Sequence, residues 1–291
     1  SKDGSLAAYM ITEGGSDWRK IIVIDSEKKT IIEDTLIDVK FSSVSWRGNE
    51  GFYYSSYPNP KNTSELSAKT QLHKLYYHKL GTPQSSDKLI YGGEKQPNRY
   101  IGGYVTEDQN FLVISASKTT SGNQLHILDL KKQRLVTIHK EYMNRLSVVH
   151  NEGNQFFIYT NIESPNGRVF SVNLNSPKKW NDIIPEKENV LSASFGGGYL
   201  FASYLVDAKT EVEQLDLNGK LIRKIELPGI GTASGFSAKK EDKDLYYSFR
   251  SFTFPSTIYN YRMTTGESEI YQSPSIDFNA EDYITKQIFF K

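Results

Sequence analysis

A hydrolytic serine is usually held at a strained strand-to-helix turn, written Gly-x-Ser-x-Gly because the backbone needs glycine on both sides. No such run occurs in these 291 residues. The nearest context is Gly14-Gly15-Ser16-Asp17, which has no following glycine, so Ser16 reads as a turn residue. With no cysteine in the chain, thiolate catalysis, disulfides and cysteine-based zinc sites are excluded. The five histidines are His73, His78, His126, His139 and His150, and none belongs to an H-E-x-x-H spacing. His73 and His78 flank a predicted strand. Their odd offset sends them to opposite faces, where isolated histidines read as surface groups or satisfied core groups. The residue types therefore assign no catalytic residue, no metal ligand and no cofactor.

Charge narrows the partners. The chain carries 35 Lys+Arg against 34 Asp+Glu, and the mixed run Lys-Glu-Asp-Lys-Asp at 240–244 reads as a solvated turn. Nucleic-acid binding needs clustered positive charge, which is missing here. No apolar stretch reaches the length of a membrane helix. No targeting segment is visible, and both cytoplasm and periplasm stay open.

The elements that would position any site are strands. The 19 Tyr and 15 Phe fall inside alternating stretches such as Phe52-Tyr53-Tyr54 and Tyr246-Tyr247, which suits a pleated, half-buried surface. One pattern recurs along the chain: a turn of Asp, Asn, Glu and Gly, then a hydrophobic strand. The strands beginning near Leu6, Phe52, Phe111, Phe156, Tyr199 and Leu245 repeat at steps of 46, 59, 45, 43 and 46 residues. An insertion at 58–71 lengthens the second step. A second strand follows each copy, several ending in Asp or Asn before a turn, as at Asp25, Asp129, Asn173 and Asp216. A third strand and a fourth then lead to the next copy.

A four-strand unit with a period in the forties predicts an all-β fold, a β-propeller of four-stranded blades, since one meander cannot bury its own apolar faces. About six blades are visible, at approximately 1–40, 41–92, 99–138, 144–186, 189–227 and 231–275. The first lacks its innermost strand. The strands read as innermost are VKFSSVSW, NRYIGGYV, LSVVH, VLSASF and TASGFS. A β-sandwich would not repeat at so long a fixed period.

Several segments resemble the prolyl oligopeptidase (prolyl endopeptidase) family's N-terminal propeller. They are EGGSDWRKIIVID (13–25), DTLIDVKFSSVSW (34–46), GFYYSSYPNP (51–60) and QLHKLYYHKLGTPQSSDKLIY (71–91). The run Lys-Leu-Tyr-Tyr-His-Lys-Leu-Gly-Thr within the last is specific to that family. The closing segment DFNAEDYITKQIFFK (277–291) resembles the passage where the family's chain leaves the propeller. Residues 276–291 are accordingly expected to begin the link to an α/β-hydrolase catalytic domain that is absent from this truncated sequence. The family's propeller has seven blades.

The resemblance implies a substrate-gating propeller of a serine endopeptidase that cleaves short peptides after proline, with the triad in the other domain. The implied partners are short proline-containing peptides, reached through the parent enzyme, and the intramolecular hydrolase domain. Ser16, Asp17 and Trp18 match a family fingerprint. Their structural reading is that Asp17 caps the turn through neighbouring amides while Trp18 packs between blades. Tyr53 matches an aromatic position of the family's substrate pocket, so the resemblance assigns it to a distal subsite. The competing reading is a core aromatic, because Phe52, Tyr53 and Tyr54 alternate in direction. Two other functions stay open. A free-standing propeller would bind peptide or protein on one face. A propeller-borne glycosidase or lactonase would gather carboxylates near the axis, and the innermost strands carry no Asp or Glu.

Overall fold

The computed structural model describes residues 1–32, 35–58, 71–278 and 282–290. Most of the insertion read at 58–71, namely 59–70, lies outside them, as do 279–281 and 291 of the closing segment. Regular structure among the described residues is strand, apart from two short 3-10 turns at Gln84–Ser86 and Gly93–Lys95. The chain divides into two compact units, residues 1–146 and 147–291.

The first unit opens with β1 (Leu6–Thr12), β2 (Arg19–Asp25), β3 (Leu36–Val39), β4 (Ser45–Arg47), β5 (Gly51–Ser56), β6 (Lys74–Lys79) and β7 (Lys88–Gly92). These form one seven-stranded sheet in the order β1-β2-β3-β5-β6-β7, with β4 also on β5. A four-stranded meander follows, from β8 (Tyr100–Val105), β9 (Phe111–Ser117), β10 (Gln124–Asp129) and β11 (Arg134–His139).

The second unit holds three more four-stranded meanders. The first comprises β12 (Leu146–Glu152), β13 (Gln155–Thr160), β14 (Arg168–Asn173) and β15 (Trp180–Ile184). The next comprises β16 (Leu191–Gly196), β17 (Tyr199–Val206), β18 (Lys209–Leu215) and β19 (Leu221–Ile225). The last comprises β20 (Thr232–Ser234), β21 (Asp244–Arg250), β22 (Thr257–Arg262) and β23 (Ser268–Gln272).

The seven-stranded sheet differs from the sequence reading. VKFSSVSW was expected as one continuous innermost strand, yet it breaks after Val39. Phe41 takes a left-handed φ of 51°, outside the β region. Ser42 Oγ then accepts the Ser55 N–H at 2.7 Å, taking the place of a backbone acceptor. Val39 stays with β3 and pairs with Ser56, and only Ser45–Arg47 pairs with the start of β5. The first two repeat units are thereby laced into one sheet.

The Asp and Asn residues that end second strands act as the pattern suggests. Asp25 Oδ1 accepts the Glu27 and Lys28 amides, Asp129 Oδ1 those of Lys131 and Lys132, and Asp216 Oδ1 those of Asn218 and Lys220. Each side chain satisfies turn donors that have no ladder partner.

Alternation sorts the strands' apolar side chains into separate layers. Phe52 and Tyr54 of β5 pack with Ile21, Val23, Leu36 and Val39. Tyr53, pointing the other way, packs with Leu75, Ile101, Leu112 and Ile114. In the second unit Leu200, Ala202 and Tyr204 of β17 join Phe157, Val169 and Ile184, while Phe201 joins Tyr247, Phe249 and Tyr261. Both faces of β17 are thus buried against neighbouring sheets, while β5 packs one face on β2 and β3 of its own sheet and the other on the following meander, which is how a short meander gains a core.

Candidate functional site

The strongest candidate is one face of β4, β5 and β6. Tyr53 is in register with Ser45 on β4 and Tyr77 on β6, and Gly51 is in register with Arg47 and Lys79. Residues two apart share a face, so Arg47, Tyr53, Tyr77 and Lys79 lie on one side. The Tyr53 and Tyr77 rings are 5.0 Å apart and tilted by 47°. The Arg47 guanidinium carbon lies 5.9 Å from the Tyr77 ring centroid. Gly51 makes the arrangement possible: a Cβ there would stand 2.1 Å from the His78 carbonyl oxygen and 2.9 Å from the Tyr77 hydroxyl.

Tyr53 itself is 2% exposed, so most of its ring belongs to the core. Burial pushes the Tyr53 hydroxyl above its ordinary pKa, and the Arg47 charge beside it works in the opposite direction. Tyr77 behaves likewise, with Arg47 lowering and Glu50 raising its value. Both phenols stay protonated at neutral pH and remain hydrogen-bond donors. A cation flanked by two phenols can receive an acceptor or an anion.

The histidines are dispersed. His73 is fully buried, with Nε2 3.0 Å from the Lys40 carbonyl and Nδ1 accepting the Ile101 N–H at 2.8 Å. Its ring stacks on Tyr57 at 4.2 Å. These partners leave one tautomer, with the proton on Nε2, and burial pushes the pKa down to about 4 against the pull of the Lys40 bond. His78 Nδ1 lies 2.7 Å from Asp87 Oδ1, and Asp87 Oδ2 accepts the Tyr54 hydroxyl at 2.7 Å. His126 sits between the Tyr91 hydroxyl and Thr137 Oγ1, each at 3.0 Å, its pKa also pushed down to about 4 by burial. His150 reaches Glu152 at 2.9 Å and stacks on Phe195. His139 Nε2 is buried without a partner. No serine hydroxyl is among the partners just named. No group of three or more His, Cys, Asp or Glu among the described residues can hold a metal ion.

The fingerprint at 16–18 is wired differently from its expected form. Ser16 Oγ accepts the Trp18 N–H at 3.1 Å, and the Ser16 N–H reaches the Glu13 carbonyl at 3.1 Å. Ser16, not Asp17, caps the turn. Asp17 instead faces Lys40 at 3.7 Å, and that ammonium lies 5.3 Å from the Trp18 ring centroid. The physical reason is reach: the shorter serine side chain closes the two-residue loop, freeing the carboxylate for an ion pair.

Sequence reasoning passed over Arg47, Tyr77, Gln84 and Asp87. Gln84 bridges strands by side chain alone, accepting the Ile37 N–H at 3.0 Å through Oε1 and donating to the Ile37 carbonyl at 2.8 Å through Nε2. Arg47 had one legible signal, its position immediately before Gly48 in the turn that leads into the Tyr53 strand.

The chain matches the family described as prolyl oligopeptidase, N-terminal beta-propeller domain, over residues 1–274. It is 50% identical to the prolyl endopeptidase of Elizabethkingia meningoseptica, covering 100% of this chain and 42% of that protein. Prolyl oligopeptidase A of Galerina marginata is 27% identical, with 99% of this chain and 43% of the relative covered. A solved structure from work on two prolyl endopeptidases and their inter-domain dynamics superposes with a TM-score of 0.87 at 31% identity, over 96% of this chain and 41% of that one. Prolyl oligopeptidase B from Galerina marginata, bound to a 35mer hydrolysis and macrocyclization substrate, shares the fold with a TM-score of 0.86 at 23% identity, over 96% of this chain and 42% of that one. The chain thus spans less than half the length of each of these relatives.

Proposed function

This chain belongs to the prolyl oligopeptidase N-terminal β-propeller family, and from that premise we propose that it is the substrate-gating propeller of a serine endopeptidase cleaving short peptides after proline. The observation that carries the proposal is the 50% identity along the whole chain to a prolyl endopeptidase. The hydrolytic chemistry belongs to an α/β-hydrolase domain, where an elbow serine, an Asp and a His act as nucleophile, orienting acid and base. The propeller's part is steric and orienting. It covers the reaction chamber, admits slender flexible peptides and excludes folded ones, with access governed by hinge or gate motion.

Within this reading the face carrying Tyr53 supplies a distal subsite for the residue upstream of the scissile proline. Two properties support it: the match of Tyr53 to the family's pocket aromatic, and the cluster Tyr53 forms with the Tyr77 phenol and the Arg47 guanidinium.

A domain exchange tests the proposal. The matching propeller of the Elizabethkingia meningoseptica enzyme is replaced by this chain, and cleavage of a short proline peptide is compared with that of a folded protein bearing an exposed proline loop. Retained peptide cleavage with the folded protein left intact supports gating. Equal cleavage of both, or peptidase activity from this chain alone, overturns it.

A further inference from the structure

We propose that Arg99, Tyr142 and Lys118 form a binding site for a carboxylate carried by a peptide. The peptide origin of the ligand rests on the function proposed above. The site itself needs only these side chains and does not involve Tyr53.

Three connections supply it, all at one end of the β8–β11 sheet: the run into β8, the β9–β10 loop and the run from β11 into β12. The last two are locked together. A Cβ at Gly122, with φ 76°, would stand 2.0 Å from the Tyr142 carbonyl oxygen, so only glycine lets the loops press so close. Buried Asn123 closes the same junction. Its backbone N–H donates to the Asn144 carbonyl at 2.9 Å, and its side chain donates to the Leu146 carbonyl and accepts the Leu146 N–H, both at 3.1 Å. Tyr142 therefore sits on a backbone fixed before any ligand arrives.

Two cations converge on its ring. Arg99 Nε donates to the Tyr142 hydroxyl at 2.6 Å, and Nη1 donates to the Asn98 carbonyl at 2.8 Å. The guanidinium carbon lies 4.5 Å from the ring centroid, and Lys118 Nζ lies 4.6 Å from the same centroid. Lys118 is exposed, and Arg99 and Tyr142 are half-buried. Like charges gathered around one ring repel each other. Among the described residues no carboxylate lies within ion-pair distance of either cation. Of the nearby acids, Glu94 lies in the exposed part of the Gly93–Lys95 turn, and Glu141 acts on His139.

The donors left over define the ligand. The Tyr142 oxygen accepts from Arg99, so its own proton is available to an incoming acceptor, and Arg99 Nη2 is likewise unspent among the described residues. A guanidinium held by two bonds keeps its remaining N–H groups in a fixed direction, beside a hydroxyl donor, which suits the paired oxygens of a carboxylate. Lys118 adds attraction without having to touch. A neutral amide of equal size loses the ionic part of this bond, and a lysine meets like charge.

The test uses this chain with nitrogen-labelled arginine and carbon-labelled tyrosine. NMR follows the Arg99 Nε–H and Tyr142 ring signals, assigned through Arg99→Lys and Tyr142→Phe. The probes are N-acetyl-Gly-Glu-Gly-amide, its Gln isostere, and N-acetyl-Gly-Gly-Gly with a free C-terminus. An acidic probe is expected to bind at least roughly five-fold more tightly than the Gln peptide, as one charge-assisted bond implies. Preference for the Glu peptide identifies a side-chain carboxylate, and preference for the free-terminus peptide identifies a terminal one. Arg99→Gln removes the preference, and Lys118→Gln weakens it roughly two-fold. Should Arg99→Gln fold poorly, the wild-type chain gives the same reading, because rising ionic strength weakens the acidic probe and leaves the Gln peptide unchanged. If the Gln peptide binds as well as both acids, or no probe moves either signal, the site falls and Tyr142 only carries two cations. That result leaves the gating proposal standing, and a failed domain exchange leaves this binding measurable, so the two readings fail separately.

Discussion

His73 and Ile101 are joined by a single hydrogen bond of 2.8 Å, from the Ile101 amide to Nδ1 of a fully buried ring. The other ring nitrogen reaches the Lys40 carbonyl at 3.0 Å. One imidazole therefore connects the end of β3, the start of β6 and the start of β8, three segments that backbone pairing leaves apart at that level.

Replacing His73 by Ala removes the ring and strands a buried amide and carbonyl. The expected loss is about 3 kcal/mol, combining the cavity with the unsatisfied groups. Urea unfolding of the variant and the parent measures it. A change under about 0.5 kcal/mol would mean that other groups hold these segments together.

The same ring gives a pH dependence. His73 and His126 both have folded pKa values of about 4 against an ordinary 6.5. A depressed histidine pKa means that the unfolded chain takes up the proton first. Stability from neutral burial is complete above pH 6.5 and is lost as the pH falls toward 4, at most on the order of 3 kcal/mol for each ring. Denaturant midpoints across that range should decline, and His126→Gln should flatten the slope.

Gly51 and Gly102 make a matched pair. An added Cβ at Gly51 meets a backbone oxygen at 2.1 Å, while at Gly102 nothing stands within 4 Å. Gly51→Ala should cost about 3 kcal/mol or more, by strain in β5 and β6. Gly102→Ala should be neutral or slightly stabilising, by up to about 0.5 kcal/mol. Thermal unfolding of the two variants side by side settles the contrast.

Gln84 holds Ile37 by two side-chain bonds. Gln84→Ala should lower global stability by only about 1 kcal/mol but open the edge locally. Hydrogen exchange at the Ile37 amide should quicken several-fold while the β8–β11 sheet keeps its protection. Uniform acceleration would contradict this local role.

Gln214 in the second unit is fully buried, donating to the Met263 carbonyl at 2.8 Å and accepting from the Tyr261 hydroxyl at 2.6 Å. Tyr261→Phe leaves its amide oxygen unpaired, and should cost about 1–2 kcal/mol. The double variant with Gln214→Leu should be less damaging than the two single costs summed, because the pair fails as a unit.

The chain determined its strands through local rules. Alternation around Phe52-Tyr53-Tyr54 already required opposite directions, and the structure sends Phe52 and Tyr54 to one layer and Tyr53 to another. Strand-ending Asp25, Asp129 and Asp216 were legible because a side chain bonding amides two to four residues ahead is a short-range event. The family resemblance was legible for the same reason, in contiguous runs.

What only the tertiary structure decided involves partners distant along the chain. Nothing near Phe41 announces that its backbone turns left-handed and splits the expected innermost strand, since that depends on Ser42 reaching Ser55. Nothing near Tyr53 says whether its ring is surface or core until Ile101 and Leu112 arrive against it. Arg47 comes to lie over the Tyr77 ring only because β4 pairs with the start of β5 and β6 pairs on its other side. Periodicity encodes which way a side chain points, but burial and ionic partners are set by segments that only folding brings together.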